Sequence, residues 1–425
     1  MIEIVGAGLV FVCNEEFEII HNGAIAFESS KDSILRVGAY EDLCAQFPHA
    51  KKHFSPHGVL LPALINAHIH FEFGAHLASF AYGDFGAWLD SLMAGRESVL
   101  HTERLESIIT QGVNEQIQAG VGSVGAVSSY GEDMEILAHS PLRVVYFNEA
   151  IGSNEGVLDV LYSNLLARYE QARSFRSARF TPALALHSPY SVHTALARKV
   201  VALAIKEGAP LSAHFLESKQ EREWLELSSG YFRGFFQRLA GIDNPCSFCT
   251  PLEFLELFRA AKGLPISFTH CLQVGSDEQA MIERLNASII TCPRSNRLLN
   301  NAYLPASLLD SQNLALGTDG KSSNHNVSLL DELRTALFAY PTQNLNALAK
   351  ALLLAATRGG ARALGLENGI LAQGKSVDFA LFEFEKLLYH ANQAQNHTSC
   401  NQAPLHFILH AASPTHLYIN AKAVI

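Results

Sequence analysis

The stretch LPALINAHIHFEF, residues 61–73, runs apolar and then ends in two imidazoles, His68 and His70, followed by a carboxylate at Glu72. Residues two apart on a strand point to the same face, so a strand here would present both histidines together at its tip. The same grammar recurs along the chain: VGSVGAVSSY (121–130), LRVVYFNEA (142–150), TPALALHSPY (181–190), APLSAHFLE (209–217), LPISFTHC (264–271), ASIITCPRSN (287–296) and LALGTDG (314–320). Each is a short continuous apolar run of the kind parallel strands show when both faces are covered. Between them, segments such as LESIITQGVNEQIQAG (105–120), TALARKVVALAIKEG (194–208) and DEQAMIERLN (277–286) carry apolar residues at helical spacing. Strand–helix units in this number predict an α/β fold, a (β/α)8 TIM barrel. An open doubly wound sheet would show a Gly-rich phosphate loop after its first strand, and none is present.

Both chain ends read differently. IVGAGLVFV, FEIIHNGAIAFES and SILRVGAY near the start, and KSVDFALFEF with PLHFILHAASPTHLYINAKAVI near the end, are short strand patterns broken by turn signals. Asn22-Gly23 is a hairpin cue. The expectation is a small β-sandwich built from residues 1–58 and 369–425, beside a barrel over 59–368. The polar, Asn/Gln-rich segment 389–404 reads as a surface loop.

Composition narrows the chemistry. Hydrophobic residues make up 48% and charged residues 17% of the 425, the profile of a well-buried globular enzyme. A formal charge of −10 with no basic run argues against nucleic acid as a partner. The N-terminal stretch lacks a basic leader and no apolar run is long enough to span a bilayer, so no membrane association and a cytoplasmic location are expected. Seven irregularly spaced cysteines do not form a disulfide framework, and the lone CxxC at Cys246 and Cys249 has no second pair to complete a zinc knuckle.

In such a barrel the chemistry sits at the C-terminal strand ends, which here carry His68 and His70, Ser128 and Ser129, Asn148 and Glu149, His187, His214 with Glu217, His270, Ser295 with Asn296, and Asp319. His pairs also occur as hydrogen-bonded core residues, but His214 and Asp319 add a third nitrogen and a carboxylate. That mixed sphere with room for water suits one divalent ion, Zn2+ or Fe2+, better than Ca2+ or Mg2+. Glu217 lies near the ion without having to bind it and is a candidate proton shuttle. His270 is a second acid or base, and Asp319 a proton acceptor from water.

These residues resemble the amidohydrolase superfamily, in the branch of aminohydrolases that includes adenosine, S-adenosylhomocysteine, guanine and cytosine deaminases and the chlorotriazine hydrolases. The likeness rests on HIH (68–70), HSPYSV (187–192), HFLE (214–217), THC (269–271), CPRSNRLL (292–299), LGTDGKSSN (316–324) and the terminal GKSVDFALF, and it spans essentially the whole chain. The resemblance implies a single metal held by His68, His70, His214 and Asp319, with Glu217, His270 and Asp319 catalytic. Two-metal relatives carry a carboxylated lysine on the fourth strand, where this chain has none. Glu217 favours deamination over chloride displacement, because an amine leaves only after protonation.

The segment HIHFEFGAHLASFAYGDFGAWLDSLMAGRESV (68–100) is similar to 6-aminodeoxyfutalosine deaminases of the futalosine route to menaquinone. Gly86 and Ala87 stand where adenosylhomocysteine deaminases have a glutamate before Trp-Leu. The resemblance therefore implies a small-molecule nucleoside substrate with an adenine-like base, a ribose and a benzoate. Candidate substrate contacts are His187, Glu72, Trp88, Arg294, Ser295 and Asn296. Phe71, Phe73, Tyr82 and Phe85 could extend the aromatic wall, and Arg294 or Arg297 could meet the carboxylate. Related enzymes imply a homo-oligomer, such as a dimer. The alternatives are deamination of adenosine, S-adenosylhomocysteine or guanine, triazine dechlorination, and a non-catalytic scaffold.

Overall fold

The computed structural model describes residues 1–75, 78–100, 103–240, 243–309, 313–385 and 402–425. Every apolar run singled out above is a strand: β5 (Leu64–Ile69), β6 (Val121–Ser128), β7 (Arg143–Ala150), β8 (Phe180–Leu186), β9 (Leu211–Phe215), β10 (Ile266–His270), β11 (Ser288–Thr291) and β12 (Leu314–Leu316). They pair in chain order, all parallel, into an eight-stranded sheet. β12 lies against β5, where the amides of Thr318 and Asp319 donate to the His68 carbonyl at 3.0 and 3.1 Å. Gly317 makes that approach possible, since a Cβ there would sit 2.9 Å from the His68 Cβ and carbonyl oxygen.

The two faces of the strands pack differently. Along β7, Val144 and Tyr146 join the large cluster shared with the surrounding helices, while Val145 and Phe147 join an inner cluster with Ile65, Ala67, Ala183 and Ile290. On β5 that alternation would turn His68 away from Ala67. The pairing with β6 instead slips, with Asn66 opposite Val124 and Ile69 opposite Ala126, so β5 carries an extra residue. Such a bulge re-aims the side chains beyond it, and here it directs His68 and His70 into the barrel mouth.

The chain ends form a separate seven-stranded sheet. Its strands are β1 (Ile2–Phe11), β2 (Ile19–Glu28), β3 (Ile34–Ala39), β4 (Lys51–Pro62), β13 (Phe379–Glu383), β14 (His416–Ile419) and β15 (Lys422–Ala423), in the order β15-β14-β13-β4-β1-β2-β3. β4 carries this sheet to Pro62. Two local expectations are corrected. Asn22-Gly23 makes no hairpin: Asn22 takes φ 46° inside β2 while pairing with β1 continues on both sides, and the β1–β2 turn closes at Val12 N–H to Glu18 O, 3.0 Å. Residues Ala403–His410 are a helix, whose buried Ala403, Pro404, Phe407 and Ile408 fall at helical spacing. The segment 389–404 lies mostly outside the described residues. Among the described residues no helix is long and apolar enough to cross a membrane.

Arg143 on β7 ties the two units together. Its guanidinium donates to Asp378 at 2.8 and 3.0 Å and to Asp32 at 2.9 Å, and Asp378 also accepts from Asn368 and the Asn420 amide. Asp378→Ala leaves a buried guanidinium half paired, which costs about 3 kcal/mol. A melting temperature about 5 °C lower is expected; an unchanged melting curve would show that the cluster carries no net stability.

Candidate active site

Three histidine nitrogens and a carboxylate oxygen converge at the C-terminal mouth of the barrel. The ligand atoms of His68, His70 and His214 lie within 4.8 Å of one another. His70 Nε2 is 3.2 Å from His214 Nε2, and Asp319 Oδ1 is 3.9 Å from His68 Nε2 and 3.7 Å from His70 Nε2. Nδ1 of His214 donates to the His187 carbonyl at 2.7 Å, which leaves its Nε2 lone pair facing the group. His68 Nε2 is buried with no hydrogen-bond partner. Burial, then the neighbouring imidazoles, pushes His68 and His214 well below the ordinary histidine range, into the neutral form that ligates metals. A buried set of lone pairs with too few protons to share fits a divalent cation.

Asp319 is aimed by its neighbours. Ser295 and Ser323 hydroxyls donate to Oδ2 at 2.7 and 2.8 Å, and the Gly320 amide donates to Oδ1 at 2.8 Å. Burial opposes its ionisation, but His70, His270, His68 and the Ser295 hydroxyl outweigh that and hold the carboxyl below the usual carboxylate range. Asp319 and His270 both adopt positive φ, 62° and 73°, strained conformations of the kind that cluster at functional sites.

Glu217, His270 and Asp319 form a second cluster against the first. His270 Nδ1 donates to Asn296 Oδ1 at 2.8 Å, so its Nε2 is the acceptor, 3.7 Å from Glu217 Oε1. Burial and then the charge of Asp319 push the Glu217 carboxyl well above its ordinary range, the condition for a proton donor at neutral pH. Its backbone is pinned by Glu221, whose carboxylate accepts from the Leu216 and Glu217 amides at 3.1 and 2.8 Å.

Both clusters open into a cavity of about 320 Å³ whose walls include Phe73, Phe85, Trp88, His187, Tyr190 and Phe236. Trp88 Nε1 donates to the Ser322 carbonyl at 3.0 Å, and His187 Nδ1 is 2.6 Å from Ser191 Oγ. Burial pushes His187 down to about 4, so it faces the cavity neutral. Gly86 packs on Tyr231, where a Cβ would come within 2.6 Å of the ring; a glutamate side chain has no room there.

Several expected contacts fall elsewhere. Glu72 touches neither cavity nor ligands: its buried carboxylate takes the Ser128 hydroxyl and the amides of Ser129, Tyr130, Gly131 and Glu132 at 2.7–3.2 Å, holding the loop after β6. Arg294 is buried and locked by its Nε to Glu332 at 2.8 Å and its Nη1 to Asn326 at 2.8 Å, so it has no free edge for a substrate. Arg297 is exposed and bonded to Asn301. Ser295 and Asn296 hold Asp319 and His270. Phe71 packs in the helix–barrel core, and Tyr82 is 45% exposed. Cys249 is buried and Cys246 exposed, with no ligand cluster around them among the described residues.

The selection of substrate contacts missed Glu149, although it stands at the tip of β7. Its buried Oε1 lies 3.6 Å from His214 Nδ1, and the carboxylate lines the cavity and accepts from Ser129. Its position in a run of strand-end polar residues was the available signal.

The amidohydrolase family model matches residues 59–424. An aminodeoxyfutalosine deaminase of Nitratiruptor sp. is 39% identical over 404 residues, covering 95% of each chain. An adenosine deaminase of Helicobacter pylori is 38% identical over 437 residues, covering 100% of each. The crystal structure of Helicobacter pylori aminofutalosine deaminase in complex with methylthio-coformycin is similar with a TM-score of 0.91 and 37% identity over 100% of both chains.

Proposed function

The chain belongs to the amidohydrolase family and is a hydrolytic deaminase, and from that premise we propose that its substrate is 6-aminodeoxyfutalosine, converted to the 6-oxo product and ammonia in the futalosine route to menaquinone. The observation that carries the chemistry is the buried Glu217–His270–Asp319 cluster set against the histidine group. The substrate reading is supported by a 39% identical relative named for this reaction and by the aromatic lining of the cavity. Deamination of adenosine is the second reading, favoured by the name of the 38% identical Helicobacter pylori relative.

His68, His70, His214 and Asp319 would hold one divalent ion, and three imidazoles with a carboxylate suit Zn2+ or Fe2+. β8, Phe180–Leu186, contains no lysine to bridge a second ion. When bound, such an ion supplies the Lewis acidity that brings the pKa of water toward neutrality. Asp319 and His270 orient the attacking water and take its proton. Glu217 delivers a proton to N1 of the purine as the water oxygen adds to C6, so charge does not build up on the ring. Asp319 then returns a proton to the exocyclic amine, ammonia departs as the C6–N bond breaks, and the remaining hydroxyl on C6 gives its proton to the vacated Glu217 carboxylate, which leaves the 6-oxo group and restores the acid. Phe85, Trp88 and Tyr190 line the cavity, and their apolar surfaces limit the water that competes for these protons.

A deamination assay against 6-aminodeoxyfutalosine, adenosine, S-adenosylhomocysteine and guanine, compared by kcat/KM, tests the assignment. The first should lead by at least about 100-fold, on the order of 3 kcal/mol of differential transition-state binding. Equal or greater turnover of adenosine would discard the benzoate-bearing substrate and leave the deaminase chemistry in place.

A further inference from the structure

The helix Phe85–Leu100 forms one side of the cavity through Phe85, Trp88, Leu89, Leu92, Met93 and Arg96, spacings that place all six on a single helical face. Five are apolar or aromatic and the sixth is a cation. Trp88 fixes the near end of this wall, because its indole is bonded to Ser322, three residues beyond Asp319. Arg96 follows eight residues later, about 12 Å further along the helix axis. The wall therefore runs from the catalytic groups, across apolar side chains, to a guanidinium.

Arg96 meets the Tyr130 side chain and no carboxylate among the described residues. Its guanidinium carbon lies 5.1 Å from the centroid of the Tyr130 ring, and its Nε is buried with no hydrogen-bond partner. No carboxylate of the described residues pairs with it, and the acids lining the cavity are Glu149, Glu217 and Asp319. Tyr130 in turn is held by its amide against Glu72 at 3.1 Å. The buried Glu72 carboxylate thus supports the platform on which the guanidinium rests. A guanidinium has five N–H donors, so the contact with Tyr130 leaves Nε and further N–H groups for planar, two-pronged recognition of a carboxylate. A partly desolvated charge without a counter-ion gains most when an anion arrives.

We propose that Arg96 binds the carboxylate at the far end of the substrate and so selects nucleosides that carry an anionic arm over bare ones. This rests on the deaminase reading and adds the group that sets its specificity. Acting far from the reacting atoms, Arg96 is a binding and positioning residue, and its contribution falls mainly on KM.

The test is a ratio measured within each protein, so that a general loss of activity cancels. kcat/KM is determined for 6-aminodeoxyfutalosine and for its analogue with the carboxylate replaced by a carboxamide, in wild type, Arg96→Gln and Arg96→Lys. The wild-type ratio should be about 100, carried by KM. It should fall to within a few-fold of unity in Arg96→Gln and to an intermediate value in Arg96→Lys, which keeps the charge without the fork. A wild-type ratio near unity overturns the inference even if neither variant folds, and so does a ratio unchanged in Arg96→Gln. Failure of the wild type to deaminate any nucleoside is a separate result that overturns the deaminase reading itself.

Discussion

Glu217→Gln should bind substrate and metal as the wild type does and lose about 1000-fold in kcat, the middle of the range for removing a general acid. Glutamine matches glutamate in shape and can still donate an N–H to a ring nitrogen, but it cannot transfer a proton there. Nothing that builds the site depends on the Glu217 carboxyl: its backbone amide is bonded to Glu221, His214 is held by the His187 carbonyl, and His270 is oriented by Asn296. KM within a few-fold of wild type, with an unchanged metal-to-protein ratio, would place the loss on the chemical step. A variant with kcat within about tenfold of wild type would remove Glu217 from the proton path and transfer that role to His270.

The barrel was legible because strands covered on both faces must be apolar throughout, so their tips stand out wherever the run turns polar. His68, His70, His214, Glu217, His270 and Asp319 were found that way, and the structure brings them together. What the sequence could not display is competition for a side chain by partners far along the chain. Glu72 follows the histidine pair by two residues, yet its carboxylate is taken by a loop 56 to 60 residues away. Arg294 sits beside Ser295 and Asn296, yet a carboxylate 38 residues on claims it.

Position relative to the cavity was equally hidden. Arg96 lies in an ordinary helical stretch, and only the packing of Phe85–Leu100 against the barrel mouth turns its face inward. The bulge in β5 left no clear mark either, although without it His68 would point among the helices. Asn22 carried a turn signal, but the pairing of β1 with β2 through that point overrode it.

His68→Ala should abolish metal binding and activity together, because it deletes a ligand nitrogen, Nε2, that the fold buries at the site without a hydrogen-bond partner. The remaining nitrogens, on His70 and His214, lie on facing strands and would still meet, but a sphere of two imidazoles and one carboxylate is open enough to release the ion to a chelator. The wild type should hold about one ion per chain and the variant close to none. Turnover in the variant should fall by more than about 1000-fold, since Asp319 and His270 then face water whose pKa is no longer lowered. Melting temperature supplies a readout independent of catalysis. A ligand at 100 times its Kd stabilises the folded state by about 2.7 kcal/mol, so chelation should lower the wild-type melting temperature by several degrees. His68→Ala should melt near the chelated wild type and respond no further to chelator. If His68→Ala retained stoichiometric metal, the ion would have to sit on other groups, and the nearby Glu149, His187 and His214 cluster would become the place to look, with Asp319 left as a proton carrier only.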